Sequence, residues 1–270
     1  MYVRRPERRY SKRNGFPAQF FAARFPMAKP SRLYIDAALE PGGRVAASDD
    51  HAHYLLNVMR RTAGAEVLLF NGRDGEWLAT VAVPGKRRVE FDLKRQTRAQ
   101  EGLVDLWLAF APVKRIEFLA EKGAELGVSQ LRPVFTRHTD VTRVNVGRLK
   151  ANVIEACEQC ERLSVPDVHD PVTLDQLIAA WPKERTLFML DETGGGKPIA
   201  DVLGDWKRPP GPAGFLTGPE GGFAQSELDG LRQLPFVTPV GLGPRVLRAE
   251  TAAIAAVACW QALLGDWAPR

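Results

Sequence analysis

Cysteine, histidine and long apolar runs are scarce in this chain of 270 residues, and each scarcity removes a class of function. The three cysteines, Cys157, Cys160 and Cys259, are too few and odd in number for a disulfide framework, which favours reduced thiols. Cys157 and Cys160 form a C-x-x-C pair, but no second pair completes a zinc site and no thioredoxin-like pattern surrounds them. The pair therefore reads as helix packing. Among the four histidines, His51 and His53 lack a third ligand, so no metal is expected. No apolar run reaches the roughly 18 residues of a membrane span, and the N-terminus has no apolar signal centre, so a cytoplasmic protein is expected. Neither G-x-G-x-x-G nor a Walker P-loop occurs, which disfavours nicotinamide and nucleoside-triphosphate chemistry.

Acidic residues are nearly missing from one region. Residues 1–32 hold nine Lys/Arg and only Glu7, whereas the rest of the chain holds 28 basic and 31 acidic residues. The net charge of +5 thus belongs to the N-terminal segment, and global charge says little about a nucleic-acid partner. Residues 1–31 read as a basic, disordered tail. Two other readings stay open: a mis-placed start, because Met27 opens the ordinary-looking MAKPSRLYID, or an arm drawn to RNA by counterion release. A transit peptide is a third.

What is present is a change of texture near residue 100. From 32 to 98, short β-like runs (RLYID, RVAAS, EVLLFNG, EWLATVAVPG, RVEFDLKR) are separated by turn residues, with GRDG (72–75) a hairpin signal. One short helix interrupts them at DDHAHYLLNVMRR (49–61), where Asp49 or Asp50 is placed to cap. This part is expected to be a small β-barrel or sandwich. From 103 to 270, strands alternate with helices, the mark of an α/β domain with a mostly parallel sheet. Strands are expected at 103–111, 131–135, 186–190, 214–217 and 236–242, and helices at 114–126, 147–163, 225–232 and 248–264.

Two glycine-bearing loops follow separate strands: GPEGG (218–222) and LGPR (242–245), the latter opening into LRAETA at the start of the last helix. Glycine lets a ligand approach the backbone, and parallel α/β sheets bind ligands at the carboxyl ends of their strands. A composite pocket between the loops is the expectation from residue chemistry alone. Each loop taken singly is equally an ordinary strand-to-helix turn, and Glu250 reads as a carboxylate serving the helix dipole.

GPEGGF with Glu227 nine positions after Gly218, followed by LGPRVLRAETA, resembles the C-terminal signature of the RsmE family of 16S ribosomal RNA (uracil-N3)-methyltransferases. KGAELGV (122–128), TRH (136–138), EACEQCER (155–162) and HYLLNVMRR (53–61) agree with it, so the resemblance runs from about Arg32 to Leu264. His138 stands where a serine is usual and Ala249 where a threonine is usual, and neither is carried over as functional. The resemblance implies a SPOUT-type, trefoil-knotted α/β methyltransferase domain (103–270) preceded by a PUA-like RNA-binding β-barrel (32–98). It further implies a homodimer, S-adenosylmethionine as methyl donor, and 16S rRNA or the small ribosomal subunit as partner.

Carried over residue by residue, donor binding falls to Leu216, Gly218, Glu220, Gly221, Gly222, Leu242, Gly243, Leu247 and Arg248. N3 of uridine is a poor nucleophile until its imide proton leaves, so the reaction calls for a base or for cations beside the carbonyl oxygens. Glu220 is the candidate base, and Arg248, Arg162 or Arg137 the candidate electrostatic partner. Arg60, Arg61, Arg87, Arg88 and Arg137 are the candidates for contact with RNA, with Lys86, Lys94 and Arg95 nearby. Two rival readings remain: the same fold acting on another RNA, or a ribosome-assembly factor that binds RNA without catalysis.

Overall fold

In the computed structural model, residues 30–83, 88–102, 104–206 and 211–268 are described. The basic N-terminal tail, Lys86 and Arg87 lie outside them. From Ser31 onward the chain forms one unit built on two sheets.

The first sheet consists of β1 (Ser31–Tyr34), β2 (Arg44–Ala46), β3 (Glu66–Phe70), β4 (Glu76–Ala82) and β5 (Glu90–Arg98), in spatial order β1-β3-β4-β5-β2. Alternation drives it: along β4, Trp77, Ala79 and Val81 point inward beside Val67, Leu69, Phe91 and Leu93. The GRDG turn joins β3 to β4 as an antiparallel hairpin, with Phe70 opposite Glu76. Helix α1 (Asp49–His53) runs directly into a π-helical turn at Tyr54–Val58. Its cap is Ser48, not Asp49 or Asp50 as expected. Ser48 has an extended backbone, and its hydroxyl accepts the His51 N–H at 3.1 Å, while both aspartates sit within the first turn against the positive end of the dipole.

The second sheet begins with β6 (Leu106–Phe110), followed by α2 (Ile116–Glu125), β7 (Gln130–Phe135), α3 (Val146–Gln159), β8 (Asp167–Val168), β9 (Val172–Thr173) and α4 (Leu174–Ala180). It continues through β10 (Thr186–Leu190), β11 (Lys197–Pro198), α5 (Ile199–Gly204), β12 (Ala213–Thr217), α6 (Gln225–Arg232), β13 (Val237–Gly241) and α7 (Ala249–Leu263). The order is β11-β13-β10-β12-β6-β7-β8, with β9 also on β7, and every pairing is parallel. The central strands β6, β10 and β12 are covered on both faces and are correspondingly apolar. Phe188 and Phe215 face a layer that includes Leu119, Val153 and Trp260 of α2, α3 and α7, while Met189 and Leu216 face Leu177 and Leu228 of α4 and α6. Helix α3 stops four residues before the expected 163, because Glu161 takes the left-handed conformation (φ +62°).

Arg32 joins the two sheets. Its side chain, 6% exposed, donates to Glu76 Oε2 at 2.8 Å, to the Cys157 carbonyl at 2.5 Å and to the Arg162 carbonyl at 2.7 Å, and its guanidinium stacks 3.7 Å from the Phe70 ring centre. The Tyr34 N–H adds a bond to Glu158 Oε1 at 2.8 Å.

Candidate active site

Parallel strands aim all their carboxyl ends at one edge of the sheet, and there the loops after β10, β12 and β13 enclose a cavity of about 610 Å³. That size suits a small-molecule ligand. Gly218, Glu220 and Gly222 of the first predicted loop line it, as do Leu242, Gly243, Leu247 and Arg248 of the second. Leu216 and Gly221 stand beside the wall. Strand alternation sends the Leu216 side chain into the layer under α4 and α6, and a side chain on Gly221 would meet His138 Cβ at 3.3 Å.

The third wall was not anticipated. Asp191, Glu192, Thr193, Gly194 and Gly196 follow β10 and complete the cavity. Its sequence signal was DETGGG directly after the apolar TLFML run. Asp191, whose side chain is fully buried, anchors this loop: Oδ1 accepts the Thr193 N–H (2.9 Å) and hydroxyl (2.6 Å), and Oδ2 accepts Arg232 Nη2 at 2.7 Å. Burial acts to raise the Asp191 carboxyl, but the Arg232 and Thr193 hydrogen bonds outweigh it and hold the group below its ordinary value. The three walls also touch each other. Glu192 Oε1 accepts the Phe223 N–H at 3.2 Å, and a Cβ on Gly196 would lie 2.6 Å from the Val240 backbone.

The wall is mixed in chemistry. Leu190, Val240 and Ala252 offer apolar surface, Glu192 and Glu220 offer carboxylates, and Arg245 and Arg248 stand exposed at the start of α7. Thr217 lies on the floor with its hydroxyl buried and without a hydrogen-bond partner among the described residues. Such a set fits a ligand carrying both an apolar ring and positive charge.

Arg162 is not at this cavity. Burial pulls its pKa below the usual arginine range, and its guanidinium donates to the Ala124 carbonyl at 2.7 Å and to Ser164 Oγ at 2.8 Å. It closes the end of α2 and faces a separate polar cleft. The fold therefore does not bring it together with Glu220 and Arg248. Arg137 lies on the turn after β7, exposed, with its backbone N–H bonded to Glu227 Oε1 at 2.9 Å. Arg60 is exposed at φ +50°, just past the π-helical turn. Arg61 is half-buried, with an Nε that has no partner among the described residues. Arg88 pairs with Glu90 at 3.0 Å on the surface. Burial pushes the Cys157 thiol up to about 12, in keeping with packing and not with redox chemistry. Among the described residues, no group of acidic, histidine or cysteine side chains could hold a metal ion, and no helix is long and apolar enough to cross a membrane.

A family model for the RNA methyltransferase domain matches residues 100–261, and one for the RNA methyltransferase PUA domain matches residues 48–94. Ribosomal RNA small subunit methyltransferase E of Rickettsia conorii is 33% identical over 234 residues, covering 85% of this chain and 94% of that protein. The methyltransferase of the same designation from Neisseria gonorrhoeae, solved bound to S-adenosyl methionine, aligns with a TM-score of 0.78 at 30% identity, over 88% of this chain and all of that one. A Legionella pneumophila protein solved in complex with SAM aligns with a TM-score of 0.77 at 30% identity, over 87% of this chain and 98% of that one. With a PUA-type sheet, a parallel α/β domain and a three-loop cavity all in one chain, this protein belongs to the ribosomal RNA small subunit methyltransferase E family of RNA methyltransferases.

Proposed function

We propose that the chain methylates N3 of one uridine in 16S ribosomal RNA, with S-adenosylmethionine held in the cavity formed by the β10, β12 and β13 loops. The observation that carries this reading is the wall itself: glycine-shaped backbone, apolar patches and two carboxylates suit a donor with an adenine ring, an ammonium and a sulfonium. When bound, the donor supplies an electrophilic methyl group. Gly218, Gly222, Leu242, Gly243 and Leu247 form its cradle, with Leu216 and Gly221 supporting from behind. Glu220 takes the imide proton, and Arg248 stabilises the negative charge that develops on the uracil carbonyl oxygens. Because N3 lies on the pairing edge, the uridine must be unpaired or flipped.

In this reading residues 32–98 are the RNA-binding module and residues 103–270 the methyl-transfer unit. Arg60, Arg61, Arg87, Arg88 and Arg137 position the RNA. A knotted path through the cavity loops, a homodimer and a cytoplasmic location belong to the same proposal, by family likeness. Titration calorimetry with S-adenosylmethionine tests it: saturable one-site binding is expected, and no heat at millimolar donor would refute the donor site.

A further inference from the structure

Glu227, on the first turn of α6, serves two loops at once. Its Oε2 accepts the Ala224 N–H at 2.8 Å, closing the cavity loop onto the helix, and its Oε1 accepts the Arg137 N–H at 2.9 Å from the turn after β7. A second link lies alongside, since His138 Nδ1 is 3.2 Å from the Gly222 carbonyl oxygen, an acceptor that fixes the proton on Nδ1. The turn that receives both links is rigid in itself. Thr136 N–H donates to Thr139 Oγ1 at 3.0 Å, the two hydroxyls are 2.9 Å apart, and Thr139 N–H returns to the Thr136 carbonyl at 3.2 Å.

The consequence is a turn tied to the Gly222–Ala224 segment twice, by the Arg137 backbone N–H through the Glu227 carboxylate and by the His138 ring on the Gly222 carbonyl, while the Arg137 side chain is exposed. Arg137 makes no side-chain hydrogen bond or ion pair among the described residues. An ordinary surface arginine needs no such mounting, whereas a cation that must meet a polyanion at a set place beside a bound donor does.

We propose that Glu227 is a positioning residue that locks the Thr136–Thr139 turn to the donor loop, so that Arg137 meets the target nucleotide of the RNA at a fixed place beside the cavity. The proposal rests on the reading that the cavity takes the methyl donor and that RNA is the acceptor. In it, Glu227 acts on catalysis through Arg137 and touches neither substrate. His138 shares the mounting, with its Nε2 left free to face the same nucleotide.

The test is a double-mutant cycle with wild type, Arg137→Ala, Glu227→Gln and the double variant. Acceptor kcat/KM is measured on unmodified small subunits, and donor Kd by calorimetry. Each single variant is expected to lose about tenfold in acceptor kcat/KM, and the double variant no more than about twofold beyond either, because both remove one interaction. Donor Kd is expected to stay within about threefold of wild type, as the other walls remain. Independent losses that multiply to roughly 100-fold in the double variant would overturn the proposal. So would a loss of donor affinity in Glu227→Gln that accounts for the whole fall in kcat/KM, for then the residue is only a helix cap. Should Glu227→Gln fold poorly, Glu227→Asp keeps the charge on a shorter arm, and the same cycle applies. A wild-type protein that neither binds donor nor methylates the subunit would refute the underlying function instead, so the two failures are separable.

Discussion

Gly222 sits at φ +70°, and a side chain there would run into Glu192 of the neighbouring wall. Strain and collision act together, so Gly222→Ala is expected to weaken donor binding by about 1–3 kcal/mol, read as a roughly 5- to 150-fold rise in Kd by calorimetry. Arg248 presents the opposite case. Exposed at the N-cap of α7 without a capping bond, it contributes little to the fold. Arg248→Ala should therefore cut kcat by on the order of 100-fold while leaving Tm nearly unchanged, and equal activity would remove it from the site. Asp191 yields a pH prediction. Its carboxyl lies below its ordinary value in the folded protein, so its contribution is complete above the unfolded pKa of about 3.9 and is lost as pH falls through the lower folded value. Thermal melts between pH 2 and 5 should show that acid-side loss, and Asp191→Asn should flatten it while lowering Tm at neutral pH.

Among the elements, those with long and regular patterns were legible from the sequence. The strand at 186–190 and the helix at 225–232 match the observed β10 and α6, because continuous apolar runs and 3.6-residue spacing are local signals. Helices α4 and α5, with seven and six residues, and the two-residue strands β8, β9 and β11 were not, since each is held by what it packs against. The same reason hid the third cavity wall. Asp191 and Arg232 are 41 positions apart, and only the parallel sheet brings them together. Both glycine loops were readable because Gly and Pro mark turns chemically, whereas the direction of Leu216 and the burial of Arg162 depend on neighbours far along the chain. Strand β1 carries the strongest prediction at this scale. Arg32→Ala takes from buried Glu76 its close cationic partner, leaving the Thr97 hydroxyl and Arg98 at 3.9 Å, and strips two carbonyls of their donor, which should cost about 3–5 kcal/mol. In a domain of this size that is a fall in Tm of roughly 10 °C by calorimetric scan, and a Tm within 2 °C of wild type would show that the sheets are joined by other contacts.

For the whole molecule, a PUA-type sheet and a parallel α/β domain are joined through buried Arg32, with the cavity at the carboxyl edge of the larger sheet. Positive charge is concentrated in a terminal segment that residue counting isolates at once, and the fold places the groups best suited to chemistry elsewhere, on the loops after β7, β10, β12 and β13. The division of labour proposed here is a donor cavity in one domain and an RNA surface shared by the sheet of the other and the turn at Arg137. That division is tested most directly by incubating the protein with unmodified small subunits and isotopically labelled S-adenosylmethionine, then mapping the product by nuclease digestion and mass spectrometry. One labelled N3-methyluridine at a single position of the 16S RNA is the predicted result. Label on another base, another RNA or no RNA would contradict it.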